Sequence, residues 1–245
     1  GIEFCKRVHR MTWSLKLGLI VPSWNTVMEY EFQRMADDTI SLHSQRIRHN
    51  EDSEASLTWL STQAPAAAEL LSHAKVNAIC HGCTGSGFLK TPAEDRAIAA
   101  ELEAKTGIPS VTSSSSIVDA LTHLGARRIS VASPYEPWLN EKLRIYLEAA
   151  GFEIVAIKGL ATQAHGSVTT ERVMALALEV VRPQTEAVFI SCSNFRTLDI
   201  LEAVERETAR PVVTSNQAAM WGTLRRIGDE RAIAGAGQLF RAGRS

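Results

Sequence analysis

The sequence predicts an α/β fold of two pseudo-symmetric lobes, each a mainly parallel sheet flanked by helices, with a cleft between them. Three observations carry this. Short apolar runs alternate with helical patterns along almost the whole chain, which is the mark of parallel sheet covered by helices. Two stretches about a hundred residues apart repeat one another. Polar loops follow several of the apolar runs, where ligands bind in parallel α/β sheets.

In order, Leu15 to Val21 reads as a buried strand ending in Pro22-Ser23-Trp24-Asn25-Thr26, and a helical pattern follows through Met28, Phe32 and Met35. Ile40 to Ile47 alternates as a second strand, Ser53 to Ser72 has helical spacing, and Val76 to Cys80 is a third strand running into His81-Gly82-Cys83-Thr84-Gly85-Ser86-Gly87. Pro92 to Lys105 is a helix with proline in its first turn, Ile108 to Val111 a short strand, and Ser113 to Leu124 a helix capped by serines and stopped by Gly125. The alternation continues with strands at Arg128 to Ala132, Phe152 to Ile157, Ala187 to Ser191 and Val212 to Val213. Helices are expected at Pro137 to Ala150, Thr169 to Val181, Thr197 to Thr208 and Gln217 to Ile227.

The repeat sets Gly107-Ile108-Pro109-Ser110-Val111-Thr112-Ser113-Ser114 beside Ala209-Arg210-Pro211-Val212-Val213-Thr214-Ser215-Asn216, with Pro109 and Pro211 102 positions apart. Upstream in each copy an apolar strand ends in cysteine and small polar residues, at Cys83 and at Cys192, 109 positions apart. These units divide the chain into a leader at 1–10, a first lobe at 11–125 completed by 215–245, and a second lobe at 126–214.

The chain has 245 residues, 45% of them hydrophobic, so it can bury a large core. A formal net charge of -1 supplies no field for a polyphosphate backbone, so nucleic acid is not an expected partner. No apolar run approaches the roughly 20 residues of a spanning helix, and no signal-peptide pattern is present. The expected location is the cytoplasm, without membrane association. With Cys5 set aside in the leader, Cys80, Cys83 and Cys192 remain, too sparse for a disulfide framework.

Cys192 sits where a strand is expected to meet a helix start, a setting that favours a thiolate or a bound anion. Its counterpart Cys83 turns a lone thiol into an opposed pair. A planar carbon acid between the two thiols could lose a proton to one and gain one from the other, or a thiolate could add to an activated double bond. Donors must then bind carboxylate oxygens and stabilise an enolate. The hydroxyls of Thr84, Ser86, Ser193 and Tyr135, the amide of Asn25 and the backbone N–H groups around Gly85 suit this, and Ser23 and Asn194 lie in the same loops. The chemistry needs neither metal nor organic cofactor.

Several residues have simpler readings. Cys80-His81-Gly82-Cys83 has the spacing of redox and zinc pairs, but no second ligand pair exists and the following glycines suit a binding turn better. Cys80 reads as a small apolar strand residue and His81 as a structural one. Asn25 can cap the first helix while also binding ligand. Ser113 to Ser116 reads as helix capping, and Glu202, Glu205, Arg206 and Glu207 as a solvated helix face.

At these residues the sequence resembles the aspartate/glutamate racemase superfamily, in its branch of maleate cis–trans isomerases and arylmalonate decarboxylases. The resemblance spans nearly all of Leu15 to Gly237. Its pieces are Pro22-Ser23-Trp24-Asn25-Thr26, Cys83-Thr84-Gly85-Ser86-Gly87, Ser133-Pro134-Tyr135, Ser191-Cys192-Ser193-Asn194-Phe195-Arg196-Thr197 and Pro211-Val212-Val213-Thr214-Ser215-Asn216-Gln217-Ala218. The resemblance implies cofactor-independent chemistry at carbon next to carboxylate. In the isomerases the cysteine matching Cys83 adds to the substrate double bond and the one matching Cys192 handles a proton. The decarboxylases typically lack the first cysteine, so Cys83 favours an isomerase or racemase. The isomerases carry a substrate-binding asparagine in the loop that here reads Leu160-Ala161-Thr162-Gln163-Ala164-His165-Gly166, leaving Gln163 or His165 to take its place. Trp24 adds bulk where small polar residues are usual.

The reading is a cis–trans isomerase of a small, maleate-like dicarboxylate. Alternatives are a two-cysteine racemase, an arylmalonate-type decarboxylase and, outside catalysis, a carboxylate-binding protein. A homo-oligomer, most simply a dimer, is expected.

Overall fold

The computed structural model of the protein describes residues 14–241, and the leader at 1–10 with Cys5 lies outside the described residues. Two four-stranded sheets form its frame. The first has β1 (Leu15–Pro22), β2 (Ile40–Ile47), β3 (Ala78–His81) and β4 (Ser110–Thr112); the second has β5 (Arg128–Ser133), β6 (Glu153–Gly159), β7 (Ala187–Ile190) and β8 (Val212–Thr214). The strand orders, β2-β1-β3-β4 and β6-β5-β7-β8, are the same order repeated, and all pairings are parallel. β1, β3, β5 and β7 are the inner strands, and apart from their first residues they are almost fully buried, as strands covered by helices must be.

Helices α1 (Met28–Met35), α2 (Glu54–His73), α3 (Thr84–Phe88), α4 (Pro92–Thr106) and α5 (Ser113–His123) belong to the first half. Helices α6 (Pro137–Ala149), α7 (Thr170–Glu179), α8 (Leu201–Thr208) and α9 (Ser215–Arg226) follow. The sequence repeat reappears as local chemistry. Thr112 and Thr214 each cap the helix after the last strand of their sheet, through capping boxes with Ser115 and Gln217. The cap of α5 is thus Thr112, one residue ahead of the serine run. Helix α9 packs against α5 and against β3 and β4, although it follows the last strand of the second sheet.

Four expectations are corrected here. The third strand starts at Ala78 rather than Val76. The segment after Cys83, read as a turn, forms the short helix α3. The helix expected from Thr197 starts at Leu201, because the backbone N–H groups of Thr197 and Leu198 are taken by the buried Glu31 carboxylate, at 2.6 and 2.8 Å. Glu205 is also not solvated: it is 5% exposed and accepts from the N–H groups of Val212 and Gln238. Among the described residues, no helix is long and apolar enough to cross a membrane.

His81 ends β3 fully enclosed, with no protein partner for either ring nitrogen. Burial pushes its pKa down to about 4. A histidine held neutral in the folded chain binds its proton first in the unfolded one, so stability is complete above the ordinary value near 6.5 and falls as pH drops toward about 4. The loss amounts to about 3 kcal/mol over that window. In urea titrations from neutral pH down to the acid end of the window, His81→Leu is expected to lose correspondingly less stability than the parent; parallel pH curves would contradict this assignment.

Candidate active site

The carboxyl ends of both sheets meet in one cleft, lined by Pro22, Trp24, His49, Asp52, Leu57, Cys83, Thr84, Gly85, Tyr135, His165, Cys192, Ser193 and Asn194. It holds about 280 Å³ of empty space. Neither lysine nor arginine is among its lining residues.

Cys83 leaves β3 as the N-cap of α3, 6% exposed. The α3 turn brings the hydroxyl and N–H of Ser86 and the N–H of Gly85 toward its sulfur. Burial outweighs them and pushes the thiol up to about 11. The Thr84 hydroxyl beside it is buried without a protein partner, a donor available to an anion in the cleft. Gly87 is required for packing, since a methyl there would collide with Ser114 and Asp95 behind α3.

Cys192 is presented differently. It stands two residues past β7 with φ 102°, a backbone shape that costs a non-glycine residue energy and is held here from several sides. Its N–H donates to Ser215 Oγ at 2.9 Å, and the Asn194 N–H points at its sulfur at 3.4 Å. No helix start lies behind it, contrary to the sequence reading, because α8 begins nine residues later. Burial raises the thiol well above its ordinary range and the Asp52 charge adds to the rise, so both thiols are protonated at neutral pH.

The remaining predicted residues divide into those facing the cleft and those behind it. Tyr135, 2% exposed, accepts from Ser191 at 3.2 Å and faces both sulfurs; burial raises its phenol well above the ordinary value. Ser193 lines the cleft and accepts from the Asn25 amide at 3.0 Å, while Asn25 Oδ1 accepts from Val27 and Met28 N–H and so caps α1. Asn194 lines the cleft and accepts from Thr26 N–H at 2.9 Å. Ser86 sits behind Cys83, its hydroxyl donating to the Cys83 carbonyl at 3.0 Å. Ser23 points away, bracing the backbone of His49. Gln163 is exposed and accepts from Asp52 N–H at 2.9 Å, so of the two candidates in that loop only His165 reaches the cleft.

His165 is 2% exposed, with Nδ1 3.4 Å from Cys192 Sγ and Nε2 3.5 Å from Asp52 Oδ2. Trp24 packs edge-on against it at 5.1 Å and against His49 at 4.9 Å. Gly166 allows the approach, since a Cβ there would lie 2.7 Å from Thr26 Oγ1. His49 and Asp52 were missed from the sequence. The signal was available: they follow β2, whose carboxyl end opens on the same side as that of β1. Cys80, by contrast, turns away from Cys83 toward Ser113 and Thr223, fully buried and pushed up to about 12.

The chain matches, over residues 17–240, a sequence family described as arylmalonate decarboxylase. It is 30% identical over 239 residues to a maleate isomerase of Nocardia farcinica, covering 92% of this chain and 95% of that one. It is also 29% identical to an arylmalonate decarboxylase of Bordetella bronchiseptica, over 64% of this chain and 68% of the relative. A solved structure of a Nocardia farcinica maleate cis–trans isomerase mutant, carrying a covalently bound succinylcysteine intermediate, superposes with a TM-score of 0.89. That pair shares 26% identity and covers 94% of this chain and 99% of the other.

Proposed function

We propose that the chain, which belongs to the arylmalonate decarboxylase family and lies close to its maleate isomerase relatives, is a cofactor-independent cis–trans isomerase of a small, maleate-like dicarboxylate. The observation that supports this best is the presence of both thiols in one cleft, Cys83 and Cys192, with hydroxyl and backbone donors and a wall of Trp24 and Leu57.

Cys83 Sγ, having lost its proton to solvent before the substrate is enclosed, adds to one alkene carbon, and the electron pair of the double bond moves to the neighbouring carbon as an enolate. In this reading Thr84, the α3 N–H groups and Tyr135 hold the carboxylate oxygens that take up this charge. Cys192 puts its proton on the second carbon. The former double bond rotates, a proton returns to the Cys192 side, and expulsion of Cys83 leaves the trans diacid. In this reading the diacid enters between the segment carrying His49 and Asp52 and the one carrying His165, which part to admit it.

Adding maleate and following the vinyl protons by NMR tests this, with fumarate expected to appear. A protein that leaves maleate unchanged but removes carbon dioxide from a substituted malonate would support the decarboxylase reading instead.

A further inference from the structure

Beyond the pair of thiols, the cleft holds a connected row of side chains running from Cys192 away from Cys83. His165 Nδ1 stands 3.4 Å from Cys192 Sγ, and its Nε2 stands 3.5 Å from Asp52 Oδ2. The other Asp52 oxygen is 3.0 Å from His49 Nε2, and His49 Nδ1 is 3.0 Å from Ser56 Oγ. Asp52 is itself fixed, its N–H donating to Gln163. Trp24 wedges its edge against both imidazoles. Every hydrogen-bonding atom from Ser56 to the sulfur therefore has a neighbour, and both histidine rings are at least 98% buried.

We propose that Asp52, His165 and Cys192 form a Cys–His–Asp relay in which His165 takes and returns the Cys192 proton, with His49 holding Asp52 in place. The relay uses neutral His165 in the tautomer with its proton on Nε2, on the Asp52 side, and the Nδ1 lone pair on the side of the thiol. The Sγ–H bond breaks, its electron pair stays on sulfur, and the proton forms Nδ1–H; the imidazolium is then balanced by the Asp52 carboxylate. In the reverse step Nδ1–H returns the proton to sulfur, so no further donor or acceptor is needed. Cys83 has no such base against it: its neighbours are the donors of Ser86 and Gly85. The cleft is thus asymmetric, with the proton-handling thiol coupled to a base and the adding thiol not.

The groups facing His165 are Cys192, Asp52, His49, Tyr135 and the Thr162 carbonyl; burial lowers its pKa, opposed by the charge of Asp52 and by the Thr162 carbonyl. This favours the uncharged thiol–imidazole pair as the resting state, ready to ionise in place.

The relay's use in isomerisation rests on the function proposed above; its existence does not. Alkylation by iodoacetamide, scored at Cys83 and Cys192 separately by peptide mass spectrometry, tests it without any substrate. Both thiols line the same cleft, so opening of the cleft cancels in the ratio of their rates. Near neutral pH, Cys192 is expected to react faster than Cys83, with a ratio that rises with pH through one step belonging to the His165–Cys192 pair. His165→Asn is expected to lower the ratio by about 10²-fold and to abolish the step. Asp52→Asn lowers the ratio less and moves the step. A ratio and profile unchanged in both variants, with the folded state intact by thermal unfolding, would overturn the relay. No fumarate from maleate with the parent protein, while its reactivity ratio falls in the two variants as expected, would instead count against the isomerase reading alone.

Discussion

Cys83→Ser is expected to lower maleate turnover at least about 10³-fold while the protein folds as before. The side chain is nearly isosteric and its pocket accepts a hydroxyl, since the groups around the sulfur are the N–H of Gly85 and the N–H and hydroxyl of Ser86. The chemistry does not survive the change. A serine hydroxyl is far less acidic than a thiol, and no base stands beside this position to compensate. Progress curves by NMR measure the loss. Turnover within a few-fold of the parent would remove Cys83 from the reaction. Because burial already pushes the thiol up to about 11, the parent rate is expected to climb toward alkaline pH, where more of Cys83 is ionised.

The largest effect on stability is expected at Glu31, far from the thiols in sequence. Its carboxylate is 2% exposed and accepts from Thr197 N–H at 2.6 Å, Leu198 N–H at 2.8 Å, the Asn216 amide at 2.7 Å and the Thr197 hydroxyl at 3.2 Å. Burial alone would drive it toward the neutral form, and its pKa is indeed raised, with these four bonds opposing the rise. Glu31→Ala leaves two backbone N–H groups and one of the two Asn216 amide hydrogens buried without an acceptor, at roughly 1–3 kcal/mol for each such group. The expected loss is about 3–5 kcal/mol, a large part of a typical domain's stability. Asn216 also donates to the Ser193 carbonyl, so the loop carrying Cys192 loosens as well. Chemical denaturation checks this, and a loss under about 1 kcal/mol would show that water or repacking satisfies the orphaned donors.

Glu31 also marks what the sequence could not show. A glutamate on an amphipathic helix reads as solvent-facing, and only the fold brings it to the segment after Cys192, where it replaces the expected helix start. The strands, their parallel order and the pairing of Cys83 with Cys192 were legible because each depends on local periodicity or on a repeat visible in one dimension. Thr84, Tyr135, Ser193 and Asn194 were legible because they follow strands directly. Ser23 and Gln163 were placed correctly in their loops, but side-chain direction in a loop is set by partners elsewhere: Ser23 is drawn to His49 and Gln163 to Asp52. His49 and Asp52 were overlooked because no motif surrounds them. Their role comes from His165 approaching from the other half of the chain.

The central claim is that Cys83 forms a carbon–sulfur bond with the substrate while Cys192 manages the proton. Peptide mass spectrometry of Cys192→Ser protein quenched during incubation with maleate tests it most directly. With no Cys192 thiol group to take the proton back from the second carbon, an adduct protonated there by solvent is released slowly, and the peptide carrying Cys83 is expected to gain the mass of one maleic acid; the double variant with Cys83→Ser should show no gain. A gain at Cys80, or no adduct on any cysteine while fumarate still forms, would contradict covalent addition by Cys83.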